Sequence, residues 1–167
     1  GSEMCIRDRF HRAQTNDLLQ LEGPFGDFFL RQRFADRRLI FLATGTGIAP
    51  VLALLLALKE NKTPPPCPIH VYWGNRTAEQ AYLHATLHAL QAEMGFDYQA
   101  LFSREPGGAL APDDPRHVQQ LLTEPAALMD AVVYAAGSAA MIEDARAHCL
   151  RLGLAADAFI ADPFTPS

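Results

Sequence analysis

The sequence has little of several features that mark large classes of protein. Its 167 residues carry 14 basic against 19 acidic side chains, so no basic surplus is present to neutralise a nucleic-acid backbone or an anionic membrane. The longest apolar stretch, residues 48–58, is well short of the roughly 20 residues that a membrane-spanning helix needs. We therefore expect no nucleic-acid partner and no membrane partner.

Cysteine is also scarce. Cys5, Cys67 and Cys149 are an odd number, lie far apart and form no Cys-x-x-Cys pair of the kind that binds zinc or iron–sulfur clusters. This usage predicts no metal ligation by cysteine and favours a reducing compartment, the cytoplasm. A Gly-x-Ser-x-Gly elbow is absent too, which disfavours hydrolase chemistry.

Two histidines have the spacing of helical metal ligands. His84 and His88 lie four residues apart, but the Glu of a His-Glu-x-x-His site does not stand between them. An exposed helix face is the favoured interpretation, and no metal site is predicted.

The N-terminus requires separate treatment. Gly1 and Ser2 are typical of a cloning scar, and residues 4–9 resemble the translation of a sequencing adapter found at the start of metagenomic gene models. The alternative is a genuine polar arm. We expect residues 1–17 to be poorly ordered and the native sequence to begin near Phe10, as the C-terminal part of a longer protein.

Strand-like and helix-like segments alternate from residue 38 onward. Apolar runs predict strands at 39–43, 69–73, 98–102, 131–135 and 158–161, and helix formers predict helices at 48–60, 78–93, 116–122 and 139–151. This alternation predicts a doubly wound α/β domain, a five-stranded parallel sheet with helices on both faces. Ligands of such sheets bind at the carboxyl ends of the strands.

The strongest local signal is the loop TGTGIAP at residues 44–50. Glycines there would let a diphosphate approach the main chain at a helix N-terminus. The loop is not a Walker motif, and it departs from G-x-G-x-x-G because Pro50 occupies the third glycine position. Alone it indicates either an anion site or a structural turn. On the first interpretation, Gly47→Ala is expected to weaken dinucleotide binding with little change in melting temperature.

Four short motifs each follow a predicted strand. They are GTGIAP at 45–50, YWGNR at 72–76, SRE at 103–105 and AGSAAM at 136–141. In this order and spacing they resemble the NAD(P)H-binding domain of the ferredoxin–NADP reductase superfamily. The sequence is most similar to its bacterial branch of flavin reductases, CDP-6-deoxyglucoseen-type reductases and oxygenase reductase components. The resemblance covers residues 18–167.

The resemblance implies a division of the chain. Residues 18–36 look like the last strand of the family's flavin-binding barrel and the linker that follows, and residues 37–167 look like the NAD(P)H-binding domain. The rest of the barrel, with its Arg-x-Tyr-Ser/Thr motif, is not in this sequence. The purified chain is therefore expected to be colourless and inactive alone, and to self-associate through Phe25, Phe28 and Phe29 of the barrel remnant.

The resemblance also implies roles for individual residues. The loop at 44–50 would hold the pyrophosphate, with Thr46 facing the nicotinamide, and the AGSAAM motif would line the nicotinamide side. Asp162 and Phe164 match an acidic-x-aromatic ending that serves the flavin; a plain core role for Met141 and a sheet-covering role for Phe164 are the alternatives. The implied catalytic residues are Thr46, Asp162 and Phe164, and the implied cofactor-binding residues are Thr44, Gly45, Thr46, Gly47, Ile48, Pro50, Gly74, Arg76, Ser103, Arg104, Gly137, Ser138 and Met141.

The choice between NADH and NADPH stays open. Ser103 and Arg104 match a pair that binds the 2′-phosphate in NADP-using members, and a guanidinium suits a phosphate. The bacterial branch, however, largely uses NADH. Of Tyr72 and Trp73, which alternate along a strand, only one is expected to approach a ligand.

The resemblance implies a function as well. The chain is expected to be the NAD(P)H-binding half of an oxidoreductase that passes a hydride from nicotinamide to FAD or FMN and on to an iron–sulfur, flavin or protein acceptor. Its expected partners are a flavin-binding domain and an iron–sulfur domain or redox protein, with FAD bound only in the full-length protein. The alternative is a non-catalytic dinucleotide-binding module or an inactive truncated fragment.

Overall fold

The computed structural model of the protein describes residues 14, 15, 18, 26–60, 68–104 and 117–164. The predictions for residues 1–13, for Cys67 and for the chain beyond residue 164 lie outside these residues. Of the predicted barrel remnant and linker, residue 18 and residues 26–36 are described, and residues 26–36 form a 3₁₀ turn at Gln32–Phe34 and no strand. The predicted division of the chain therefore stays a prediction.

The described residues form one five-stranded parallel sheet with the strand order β3-β2-β1-β4-β5. The predicted doubly wound α/β architecture is confirmed. The strands are β1 Arg38–Thr44, β2 Ile69–Asn75, β3 Asp97–Phe102, β4 Ala131–Ser138 and β5 Phe159–Phe164, and the helices are α1 Ile48–Glu60, α2 His84–Met94, α3 Pro125–Met129 and α4 Ala139–Arg151.

The helices cover both faces of the sheet, as right-handed crossovers require. On one face, α1 and α2 connect β1, β2 and β3, and the ring of Trp73 in β2 contacts Tyr82 in the turn before α2. On the other face, the segment that returns to β4 passes over Gly74, where Val118 lies within contact distance. Strand β1 is central, and its residues Phe41 and Leu42 are fully buried, as its continuous apolar run predicts.

The predicted helix at 78–93 is wrong at its start. A 3₁₀ turn spans Ala78–Gln80, Ala81 leaves the helical region, and α2 begins only at His84. The break places the ring of Tyr82 edge-on against Trp73. A tertiary contact therefore overrides the local helix propensity. The predicted helix end is right, because Gly95 ends α2 with a φ of 74°.

The predicted helix at 116–122 is also wrong. The described part of this segment is a four-residue 3₁₀ turn at Val118–Leu121, and the short helix α3, which was not predicted, follows at Pro125. Proline holds the preceding Glu124 extended, so one continuous helix cannot form here.

The last strand is longer than predicted. It starts at Phe159 rather than at residue 158 and continues through Asp162, Pro163 and Phe164. Strand β5 lies at the edge of the sheet, where a proline costs no hydrogen bond to a further strand. Asp162 and Phe164 therefore belong to the sheet itself.

Candidate functional site

The winding of the sheet reverses between β1 and β4. These strands are neighbours, and the helices that follow them, α1 and α4, leave toward opposite faces. Both helix N-termini, at Ile48 and Ala139, therefore lie at one edge of the sheet. Backbone N–H groups and the positive ends of two helix dipoles favour an anion at such a crevice.

The loop between β1 and α1 presents its main chain at this edge. Gly45 has a φ of 52° and is exposed, and a Cβ added there would meet no described atom within 4 Å. Within the described residues, Thr44 makes no side-chain hydrogen bond to the turn that follows. The turn therefore keeps open space at Gly45, where a ligand can reach the backbone.

Trp73 supports this loop from the core of the domain. The sequence interpretation did not predict this role. Its side chain is fully buried, and its indole N–H donates a 2.9 Å hydrogen bond to the carbonyl oxygen of Gly45. Of the pair Tyr72 and Trp73, Trp73 is therefore the core residue. Tyr72 lies on the opposite face, where it lines a separate cavity of about 230 Å³ with Arg38 and His70.

The expectation for Gly47 needs correction. A Cβ on Gly47 would overlap the carbonyl oxygen of Ala136 and lie 2.9 Å from the amide nitrogen of Gly137. Gly47 therefore lets the loop pack against the end of β4, and the space beside its Cα is already filled by protein. Its replacement by alanine would disturb the fold first, in contrast to the unchanged melting temperature expected from the sequence.

The end of β4 is packed against the end of β1. Gly137 has a φ of 146°, and a Cβ there would overlap Thr44 Oγ1 and lie 3.1 Å from Met141 Cε. Ser138 caps α4 by accepting a hydrogen bond from the Met141 amide at 3.3 Å. Met141 is buried, 8% exposed, which agrees with the plain core role; its place next to Gly137 also leaves it beside the crevice.

The ends of β2 and β3 bring two arginines together. The Arg104 amide donates to the carbonyl oxygen of Arg76 at 2.8 Å, and the Ser103 amide donates to that of Asn75 at 3.0 Å. Both arginines are exposed. The structure thus places Arg76, Ser103 and Arg104 at one corner of the carboxyl edge.

Asn75 at this corner was not predicted as a functional residue. Its side chain is only 8% exposed, and neither Oδ1 nor Nδ2 has a hydrogen-bond partner among the described residues. A buried amide without partners is costly. Its position as the last residue of β2 was the only signal in the sequence.

The three residues with predicted catalytic roles end at the same edge. In the sheet register, Asp162 is paired with Ala136 and Phe164 with Ser138, while Thr46 is exposed in the glycine loop. Asp162 and Phe164 are both partly exposed. The predicted cofactor and catalytic residues therefore all lie along the carboxyl edge, from β3 to β5.

A separate crevice of about 940 Å³ lies elsewhere. It is lined by Asp27, residues 29–33, Asp157 and residues 159–161. None of the predicted site residues lines it. It borders the segment that was predicted to join a flavin-binding barrel.

Comparison with known proteins agrees with this geometry. The family model of the oxidoreductase NAD-binding domain matches residues 41–147, which include the glycine loop and the start of α4. The chain belongs to the oxidoreductase NAD-binding domain family. The predicted resemblance to the NAD(P)H-binding domain of the ferredoxin reductase superfamily is thereby confirmed.

Individual relatives of this NAD-binding domain are reductases. The chain is 32% identical over 158 residues to the CDP-6-deoxy-L-threo-D-glycero-4-hexulose-3-dehydrase reductase of Yersinia pestis, covering 95% of this chain and 46% of that protein. It is 28% identical over 164 residues to the ferredoxin–NAD(P)(+) reductase component of the naphthalene 1,2-dioxygenase/salicylate 5-hydroxylase systems of a Ralstonia species, covering 95% and 47%. The chain thus spans about half the length of these relatives.

Solved structures show the same fold. The CS-b5R domains of human Ncb5or in the NAD+ form match with a TM-score of 0.72 at 17% identity, over 95% of this chain and 46% of that one. The cytochrome P450 reductase GcoB of Amycolatopsis matches with a TM-score of 0.69 at 22% identity, over 86% of this chain and 43% of that one.

No helix among the described residues of this NAD-binding domain is long and apolar enough to cross a membrane.

Proposed function

We propose that the chain is the NAD(P)H-binding half of a flavin-dependent oxidoreductase. The observation that carries the proposal is the meeting of two helix N-termini and an open glycine turn where the winding reverses between β1 and β4. A pyrophosphate fits there because it accepts hydrogen bonds from backbone N–H groups and is stabilised by the helix dipoles. Relatives named as reductases support this assignment.

The residues around the crevice fit the other parts of a dinucleotide. Asn75 offers a buried amide whose polar atoms lack partners among the described residues, and two exposed arginines lie at the same corner. This corner suits the adenosine end of the cofactor, with Arg104 available to a 2′-phosphate. The cofactor is NADH or NADPH, and Arg104 is the residue that would decide between them.

The opposite end of the crevice suits the nicotinamide. A nicotinamide held there would supply a hydride from its C4, and a flavin held by the partner domain would accept it at N5. Thr46 and Gly137 would position the nicotinamide ring between the loop and the end of β4. Asp162 and Phe164, at the end of β5, would border the flavin side, with the carboxylate balancing charge and the ring limiting access of water.

The remaining proposals concern the larger protein. Residues 18–36 would join the domain to a flavin-binding barrel, and an iron–sulfur domain or a separate redox protein would accept the electrons. Reductase components of bacterial dioxygenase systems among the relatives support such a partner. Phe28 packs edge-on against Tyr134, so of the two phenylalanines that the structure describes here only Phe29, 49% exposed, would lie against the barrel and promote self-association without it. We propose the bacterial cytoplasm as the location of the protein, because the reductase relatives named above are bacterial and the described cysteine, Cys149, is a free thiol.

Binding is tested by titrating the isotope-labelled chain with NADH and NADPH and following backbone amide shifts by NMR. The largest shifts are expected at Gly45, Thr46 and Gly137. Shifts confined to the cavity near Arg38 and His70 would overturn the proposed site.

Hydride transfer is tested in a protein that joins this chain to a flavin-binding domain. Mixing with NADH should bleach the visible flavin absorbance, and Asp162→Asn or Phe164→Ala should slow the bleaching. The matched control is Asp97→Asn, an exposed acid at the amino end of β3, on the opposite edge of the sheet. Flavin that stays oxidised would overturn the assignment as an oxidoreductase and would favour a dinucleotide-binding module without turnover.

A further inference from the structure

Helix α2 carries a close pair of histidines outside the crevice. His84 and His88 lie one turn apart on the side that faces β3, and their Nε2 atoms are 3.2 Å from each other. Their rings are nearly perpendicular, with centroids 4.5 Å apart. His88 is exposed and His84 is partly buried, so solvent reaches the pair.

The other ring nitrogens are held by oxygen atoms. His84 Nδ1 lies 2.8 Å from the hydroxyl oxygen of Tyr98, and His88 Nδ1 lies 3.3 Å from Oε1 of Gln91. An amide oxygen only accepts hydrogen bonds, so His88 carries its proton on Nδ1 and presents a lone pair at Nε2. When the Tyr98 hydroxyl accepts from His84 Nδ1, the Nε2 atom of His84 also carries a lone pair, 3.2 Å from the Nε2 atom of His88.

We propose that His84 and His88 together bind one divalent transition-metal ion through their Nε2 atoms. With metal–nitrogen bonds of roughly 2.0–2.1 Å, a separation of 3.2 Å corresponds to an angle at the metal of about 100°, between the octahedral and tetrahedral values. Imidazole ligands suit Cu²⁺, Ni²⁺ and Zn²⁺, with Cu²⁺ bound most tightly, and do not suit Mg²⁺ or Ca²⁺.

Tyr98 and Gln91 act as positioning residues in this proposal. Metal-binding histidines commonly donate their second N–H to a nearby oxygen, which fixes the tautomer and the ring orientation. No third His, Cys, Asp or Glu among the described residues completes the group, so water occupies the remaining coordination positions. The site lies between α2 and β3, where the ring of His84 is 6.3 Å from that of Phe102, and the proposal does not depend on the proposed function.

A chain of hydrogen bonds is the competing account of the same geometry. Tyr98 would donate to His84 Nδ1, His84 Nε2–H would donate to His88 Nε2, and His88 would donate to Gln91. That arrangement satisfies every group without an ion. The two accounts differ in the direction of the first two hydrogen bonds and in whether an ion binds.

Calorimetric titration of the untagged chain with Ni²⁺ decides between them, in a background with Cys5→Ser and Cys67→Ser so that thiols do not compete. We expect one Ni²⁺ per chain at the pair, with Cu²⁺ binding more tightly and Mg²⁺ not at all. His84→Ala and His88→Ala should each abolish this binding, and Tyr98→Phe should weaken it by roughly tenfold to a hundredfold. His117→Ala, at an exposed histidine outside α2, is the matched control and should bind as the parent does.

Thermal melting gives a second measurement. Ni²⁺ that binds the folded pair should raise the melting temperature of the parent and of His117→Ala, and should leave that of His88→Ala unchanged. Failure of the parent to bind Ni²⁺, or binding that persists in both His84→Ala and His88→Ala, would overturn the metal site and favour the hydrogen-bond chain.

Discussion

The indole N–H of Trp73 donates a hydrogen bond of 2.9 Å to the carbonyl oxygen of Gly45. Trp73 is fully buried in β2, whereas Gly45 is exposed in the loop after β1. The bond therefore links a core side chain to the backbone that is proposed to face the pyrophosphate. Because the Gly45 carbonyl and the Thr46 amide share one planar peptide group, the bond also fixes the direction of the Thr46 N–H.

Trp73→Phe tests this link. The variant keeps an aromatic ring in the core but loses the donor and leaves a gap, so the free energy of unfolding should fall by roughly 1–3 kcal/mol. NADH affinity, measured by calorimetry, should fall as well because the loop loses its support. Tyr72→Phe, on the opposite face of the same strand, should leave the affinity unchanged. Full affinity in Trp73→Phe would show that the loop holds its shape without the bond.

Gly47→Ala should destabilise the folded protein. Its Cβ would overlap the carbonyl oxygen of Ala136, so the loop and the end of β4 must move apart. We expect a loss of roughly 1–3 kcal/mol in the free energy of unfolding, read from chemical denaturation. A variant as stable as the parent would restore the interpretation made from the sequence, in which this glycine serves the ligand alone.

Arg104→Ala should affect the binding of NADPH and NADH differently. If its guanidinium contacts a 2′-phosphate, NADPH binding should weaken by roughly 1.5–3 kcal/mol while NADH binding stays nearly unchanged. Arg151→Ala, at an exposed arginine in the last turn of α4, is the control for a general change in charge. Equal weakening for both nucleotides, or none for either, would make NADH the preferred donor.

Cys149 should be unreactive in the folded protein. The side chain is fully buried, and burial raises the pKa of its thiol to about 12. The thiolate is therefore scarce at neutral and mildly alkaline pH, and iodoacetamide should label the residue only after unfolding. The measurement uses a protein with Cys5→Ser and Cys67→Ser, compared with and without denaturant. Rapid labelling under native conditions would show that α4 opens locally or that the thiol is accessible.

Much of the sheet could be predicted because the sequence patterns that indicate its strands and helices are local. The continuous apolar run of β1 and the proline in the first turn of α1 place these elements within one residue of their observed bounds. Helix α4 was predicted with its observed bounds, 139–151. The motifs after the strands indicated the family, and the family model confirms it.

The sequence-based predictions are wrong where a contact between residues distant in the sequence determines the local structure. Nothing near Tyr82 in the sequence indicates that its ring packs on Trp73, and that contact delays the start of α2. The tight fit of Gly47 against Ala136 depends on the pairing of β1 with β4. The unpartnered amide of Asn75 became visible only when burial was known, since an asparagine at a strand end is otherwise typical of a turn.

The glycine turn after β1 is the proposed binding place of the dinucleotide. Gly45 and Gly95 form a matched pair, because both have a left-handed φ, at 52° and 74°, and in both a Cβ would meet no described atom within 4 Å. Alanine at either position should therefore cost a similar conformational free energy, about 1 kcal/mol. Only Gly45 lies at the carboxyl edge of the sheet, whereas Gly95 ends α2.

The most direct measurement is the NADH affinity of Gly45→Ala and Gly95→Ala, determined by calorimetry beside the parent. We expect Gly45→Ala to bind at least about tenfold more weakly, a loss of about 1.4 kcal/mol, and Gly95→Ala to bind within about twofold of the parent. Equal affinity in all three proteins, or equal weakening in both variants, would contradict the assignment of the dinucleotide to this turn.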